Sequence, residues 1–256
     1  MERDFLYYED SVEAVLDNEE KRKFYTVKLR EENILIIKKA YSSDLCRSII
    51  EYLSSIGKGS LPNYQPIIEG APNNHRMNRS DPRSYVKGCF HQFSFYPWNQ
   101  DLFNFFALFE KVYHLKNILN DIPESSYIGT APEKNCISRL SFQFYPQGSG
   151  FLNKHRDPVD YHQLVLPLLL LSEKGKDFKS GGAFVDIKGE KIMLDDLCGS
   201  GDIVIFNASF PHGVELIDKD IPEFWPAFKG RWMLLFAVNK LSHNNEIANA
   251  IDLSKI

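Results

Sequence analysis

The chain has 256 residues, 43% hydrophobic and 13% aromatic, with 30 Lys and Arg against 34 Asp and Glu for a net charge of −4. This composition belongs to a well-buried globular core and excludes a disordered or fibrous protein. The slightly acidic balance argues against a nucleic-acid partner, and the longest apolar run, LVLPLLLL (164–171), is far too short to span a bilayer.

In chain order, residues 1–30 form a charged preamble that reads as a helix around SVEAVLDNEEKRKF. No apolar signal-peptide core is visible there, so a cytoplasmic protein that does not engage a membrane is expected. NILIIKKA (33–40) reads as a strand. SSDLCRSIIEYLSSIG (42–57) reads as a helix with Ser42 or Ser43 as N-cap, a buried stripe of Leu45, Ile49, Ile50 and Leu53, and Gly57 as its stop. Residues 58–84, rich in Pro, Asn, Gly and Arg, read as a long loop of the functional or mobile kind. DLFNFFALFEKVYHLKNILN (101–120) reads as one helix with a core stripe of Phe105, Leu108, Phe109 and Val112.

From about residue 137 the character changes. ISRLSFQFYP, QLVLPLLLLS, GAFVDIK, DIVIFNAS and GRWMLLFAVN are short β-rich runs separated by Gly, Pro, Asn and Asp. The expected architecture is one domain, mainly β. Residues 1–136 form a helical and loop part covering a β core at 137–240, and 241–256 form a tail. Cys46, Cys89, Cys136 and Cys198 lie far apart without a CxxC pair, which points to buried thiols and away from a zinc knuckle.

The segment NKHRDPVDYHQ (153–163) concentrates candidate metal ligands. A non-haem iron site takes two neutral imidazoles and one carboxylate on one face and leaves the other face open. In an extended segment His155 and Asp157 point the same way, and Pro158 favours that backbone at Asp157. His162 and His212 compete to be the third ligand. His162 falls on the opposite face of a continuous strand, so it reads as structural. His212, in GDIVIFNASFPHGVELI, sits between two strands with Gly213 allowing close backbone approach, and it is the preferred ligand.

Arg231, in GRWMLLFAV, shares a strand face with Met233, Leu235 and Ala237. A guanidinium on so apolar a strand needs an anion. That anion is either a bound carboxylate, which its planar fork fits, or an Asp or Glu of the protein.

Taken together, SFQFYPQGSGFLNKHRDP, GGAFVDI, GDIVIFNASFPHGVELI and GRWMLLFAV resemble the Fe(II)/2-oxoglutarate-dependent dioxygenases over roughly residues 137–240. The resemblance implies a double-stranded β-helix, a jelly roll with a metal at its mouth. It implies Fe(II) on His155, Asp157 and His212, 2-oxoglutarate and O2 as cosubstrates, and Arg231 on the distal carboxylate of 2-oxoglutarate. Arg139, Ser141, Gln143 and Tyr145 share one strand face, and Gln143 and Tyr145 are the further cosubstrate candidates. The implied reaction couples oxidative decarboxylation of 2-oxoglutarate, with release of succinate and CO2, to attack on an aliphatic C–H.

Halogenases of this superfamily usually carry Ala or Gly where this chain has Asp157, so hydroxylation is expected. Arg231 lies later after His212 than in several branches, and DKDIPEFWPAFKG intervenes as an inserted loop. Met233 departs from the R-x-S signature, Ala237 replaces the second arginine of the alkyl-lesion demethylases, and prolyl 4-hydroxylases usually have Lys in place of Arg231. Arg76 and Arg79 in the 58–84 loop point to a small, anionic metabolite as substrate. The alternatives are a peptide or protein side chain as substrate, or a non-enzymatic cupin-like metal-binding protein.

Overall fold

The computed structural model describes residues 4–59, 73–77, 86–159, 163–241 and 250–255, with backbone only for 73–77 and 255. Its elements, in chain order, begin with β1 (Leu6–Glu9), α1 (Val12–Leu16), α2 (Glu19–Lys28), β2 (Ile34–Ile37) and α3 (Ser43–Gly59). Then come β3 (Asn73–Met77), β4 (Gly88–Phe95), α4 (Phe105–Leu108), α5 (Glu110–Leu119), β5 (Cys136–Pro146), β6 (Phe151–Arg156) and β7 (Val165–Leu170). The series ends with β8 (Gly182–Ile187), β9 (Glu190–Met193), α6 (Leu194–Leu197), β10 (Ile203–Asn207), β11 (His212–Glu215), β12 (Gly230–Lys240) and β13 (Ile251–Asp252).

The strands form one curled mixed sheet in the order β1-β2-β10-β7-β12-β5-β4-β6-β11-β8-β9, with β3 added to β4 and β13 to β6. This is the mainly β, jelly-roll core expected. Its spine is the eleven-residue antiparallel register between β5 and β12, which sets Arg231 opposite Tyr145 and Ala237 opposite Arg139. β4 pairs with β5 at one end and with β6 at the other, and so carries the sheet around into its second layer.

Period-two alternation separates two hydrophobic layers. Leu140, Phe142 and Phe144 of β5 and Trp232, Leu234 and Phe236 of β12 pack outward onto α1, α3 and α5. Met233, Leu168, Leu170, Val185, Val204 and Val214 face inward and fill the space between the layers, together with the ring of Tyr145. The first three helices start where capping side chains take up exposed N–H groups. Ser11 accepts from Ala14 N–H at 3.0 Å, Asn18 from Lys21 N–H at 3.0 Å, and Ser42 from Leu45 N–H at 3.2 Å. The four cysteines are buried and form no disulfide. No helix among the described residues is long and apolar enough to cross a membrane.

Four readings of the sequence need correction. Residues 1–136 are not only helix and loop, because β1 to β4 all join the sheet. GCFHQFSF forms β4, buried along its whole length, and its mixed polar and aromatic composition hid its strand character. The 58–84 stretch contains β3, a polar segment that becomes a strand by antiparallel pairing with β4. The 101–120 helix divides into α4 and α5 at Phe109, whose φ of −108° is not helical. Finally, Gly57 does not stop α3, which runs to Gly59. A Cβ at Gly57 would sit 2.3 Å from the Phe228 ring, so this glycine lets Phe228 close against the helix.

Phe142 touches the rings of Phe95, Phe105 and Phe109, with centroids 5.8, 4.7 and 6.4 Å away, and so joins the sheet to the helical layer. Phe142→Ala is expected to cost about 3–5 kcal/mol of stability, read as a lower denaturant midpoint in chemical unfolding.

Candidate metal centre

β6 and β11 are antiparallel neighbours, and their register places His155 directly opposite His212. The imidazole centroids are 4.2 Å apart. Gly213 makes this approach possible, since a Cβ there would lie 2.7 Å from Leu152 O and 3.0 Å from Asn153 O. Beyond β6, the Asp157 N–H donates to Ala208 O at 3.0 Å, which ties the carboxylate's segment to the turn leading into β11. Asp157 Oδ1 then lies 3.6 Å from His155 Nε2, and Oδ2 lies 3.4 Å from His212 Nε2. The three residues can each offer a ligand atom within 4.8 Å of the others, and among the described residues they are the only such group.

Backbone carbonyls fix how the rings face. His155 Nδ1 is 2.8 Å from Asn153 O, and His212 Nδ1 is 2.8 Å from Phe210 O. A carbonyl only accepts, so Nδ1 carries a proton in each ring and both Nε2 atoms are turned toward the Asp157 carboxylate. Two imidazole nitrogens and one carboxylate, with tautomers set by the backbone, suit a divalent first-row metal.

Protons divide unequally between the two rings. Burial and the neighbouring His212 push His155 down to about 4, so it stays neutral. Burial also opposes charge on His212, but its hydrogen bond to Asp157 and that carboxylate's charge outweigh it and raise the imidazole above its ordinary value. Asp157 is destabilised by burial, yet His212, His155 and Arg139 together hold it below the usual carboxylate range. Of the two imidazoles, His212 is therefore the one that takes up a proton more readily.

Arg231 is fully buried. Its Nε donates to both oxygens of Asp195, at 3.0 and 2.9 Å. Asp195 Oδ2 also accepts the Ala183 N–H at 2.5 Å. Gly182 sits at φ +124°, and a Cβ there would meet Asp195 Oδ2 at 2.9 Å, so glycine admits the carboxylate. The other side of the guanidinium is bare: Nη1 and Nη2 are buried with no hydrogen-bond partner. The Tyr145 ring lies 5.7 Å from the guanidinium carbon. Tyr145 O–H donates to Gln143 Oε1 at 2.6 Å, and Gln143 Nε2 donates to Gln92 Oε1 at 3.3 Å. Burial raises the Tyr145 phenol, which also feels the charges of Arg231, Asp157 and Asp195, so it lies within electrostatic reach of both the arginine and the triad.

The structure thus brings His155, Asp157 and His212 together, and it places Arg231, Tyr145 and Gln143 together on the neighbouring strands β12 and β5. Arg76 lies on β3 in register with His91, and its side chain is not described. Arg79 and His162 lie outside the described residues. Asp195 and Gln92 were not legible as site residues. For Asp195 the only signal is the need of a buried arginine for a carboxylate, which does not say which of the 34 acidic residues supplies it.

No protein-family model matches the chain, and no curated protein matches its sequence. Solved structures do match. A prolyl-4-hydroxylase from Pseudomonas putida superposes with a TM-score of 0.55 at 16% identity, over 90% of this chain and 98% of that one. A Neurospora crassa protein solved with alpha-KG and thymine gives 0.53 at 14% identity, over 94% and 88%. The epimerase SnoN, in complex with Fe3+, alpha ketoglutarate and nogalamycin RO, gives 0.55 at 6% identity, over 92% and 96%. The fold is that of the iron- and 2-oxoglutarate-dependent oxygenases. At these identities the likeness is one of fold, and the chemistry has to be argued from the side chains.

Loading the site with Co(II) is expected to release about one proton per ion when His212 is protonated, because His155 is already neutral. Affinity should rise with pH and level off once His212 has lost its proton. Calorimetry in buffers of different ionisation enthalpy checks this; release of two protons would contradict the division described, and His212→Ala should abolish binding.

Proposed function

We propose that the protein is an Fe(II)/2-oxoglutarate-dependent oxygenase that hydroxylates an aliphatic C–H of a small, anionic metabolite, with release of succinate and CO2. The observation that carries this reading is Arg231. A generic metal-binding barrel has no use for a fully buried guanidinium with two unpartnered nitrogens. A dicarboxylate that chelates the metal at its keto-acid end has a second carboxylate to place, and those nitrogens fit it as a two-pronged donor.

His155, Asp157 and His212 would hold the iron. With 2-oxoglutarate and O2 bound, that centre supplies the oxidising power for C–H attack while the cosubstrate is decarboxylated to succinate. The polypeptide contributes position and dryness. The Asn153 and Phe210 carbonyls orient the two imidazoles. Asp195 holds the Arg231 fork by Nε, and the ring of Tyr145, whose O–H donates to Gln143, lies beside the guanidinium. Inward apolar side chains such as Met233 and Phe206 exclude water from the region between. Asp157 supplies a third protein ligand, which supports hydroxylation over halogenation. The small-molecule reading draws support from the neighbours solved with thymine and with nogalamycin RO.

Arg231→Gln is expected to raise the 2-oxoglutarate concentration needed for half-maximal succinate formation by about 100-fold, the loss of two charge-assisted hydrogen bonds. Asp195→Ala should raise it by about tenfold, because the fork loses its support while keeping its charge. An unchanged 2-oxoglutarate requirement in Arg231→Gln would refute the assignment.

A further inference from the structure

β5 presents a row of inward side chains, Arg139, Ser141, Gln143 and Tyr145, and only its upper half is engaged with Arg231. Gln143 and Tyr145 hydrogen-bond to each other and to Gln92. The lower half is unsatisfied. Arg139 Nε is buried without a hydrogen-bond partner, and so is Ser141 Oγ on a residue with no exposed surface. Among the described residues Arg139 forms no ion pair with any carboxylate. This contrasts with Arg231, whose charge is answered by Asp195.

The cross-strand neighbours of both residues are small. On the β12 side, Arg139 stands opposite Ala237, whose methyl group fills little space. On the β4 side, Ser141 stands opposite Ser94, a small hydroxyl residue that already accepts from Gln92 Nε2 at 3.1 Å. Arg139 is six residues from Tyr145, about 20 Å along the strand. The β5–β12 register therefore sets the two arginines at opposite ends of one sheet face, Arg231 opposite Tyr145 and Arg139 opposite Ala237.

We infer that Arg139 and Ser141 form a second anion subsite, which holds a carboxylate of the primary substrate at the opposite end of the β5–β12 face from the cosubstrate arginine. An unpartnered Nε together with a terminal nitrogen presents the side-on fork that matches both oxygens of one carboxylate. Ser141 O–H adds a third donor beside it. This assignment deepens the oxygenase reading and rests on it for the position of the reacting C–H. It also moves the recognition of substrate charge from the 58–84 segment to the barrel wall.

The test uses the full-length chain and a panel of aliphatic carboxylic acids, each paired with its primary amide, with binding followed by saturation-transfer NMR. In parallel, the visible charge-transfer band formed by Fe(II) and 2-oxoglutarate without oxygen reports on the cosubstrate site. The wild type should bind at least one acid about tenfold or more tightly than its amide. Arg139→Gln should erase that preference while the band still forms, and Arg139→Lys should restore part of it. Circular dichroism confirms that each variant is folded. Amides matching acids throughout the panel, or an acid preference that survives Arg139→Gln, overturns the subsite. Loss of the band in Arg139→Gln overturns it too, by assigning Arg139 to the cosubstrate. A wild type that forms no band refutes the oxygenase reading instead, and the acid-over-amide comparison still decides Arg139.

Discussion

A guanidinium sealed inside a β-sandwich has to be answered by anions, and the interior of this protein is arranged around one that is only half answered. Asp195 takes the Nε side of Arg231, and the opposite edge is left bare. Buried donors without partners are costly, about 1–3 kcal/mol each and more when charged. Such an arrangement survives in a stable fold where a ligand completes it or where the surroundings over-determine it. The surroundings here are specific. β12 brings Arg231 to the interior face, α6 brings Asp195 beneath it, and Gly182, at positive φ, makes the space into which that carboxylate fits.

The metal-binding group depends on the same sheet from its other layer. A single cross-strand pairing, His155 opposite His212, does most of the assembly, and Asp157 closes the triangle from the segment that follows. Because each ring is tied to a backbone carbonyl two residues before it, the direction of both Nε2 atoms follows from local backbone geometry. The site is preorganised at low cost in side-chain freedom.

Legibility in the sequence tracks the range of the interactions involved. The pairing of His155 with Asp157 and the inward faces of β5 and β12 were readable because each rests on short-range regularities, the i to i+2 spacing of His155 and Asp157 and strict alternation in ISRLSFQFYP and GRWMLLFAV, whereas His212 came from the longer motif and its resemblance. β4 was missed because GCFHQFSF is buried on both faces and mixes polar and aromatic residues, so no alternation marks it. β3 was missed because only its long-range pairing makes a strand of NNHRM. Gly57 was misread for a similar reason: its role is set by Phe228, a residue far along the chain. Asp195 belongs to this class too, since nothing in MLDDL distinguishes the acid that reaches an arginine 36 residues later.

The central claim is that the bare edge of Arg231 exists to receive the distal carboxylate of 2-oxoglutarate. The most direct measurement compares the binding of 2-oxoglutarate and 2-oxopentanoate to the metal-loaded protein by calorimetry. The two share the metal-chelating keto acid and the chain length, and differ in replacing the distal carboxylate by a methyl group. The account predicts that 2-oxoglutarate binds about 100-fold more tightly, the worth of a bidentate charge-assisted pair in a buried site. Equal affinity for the two acids would contradict it.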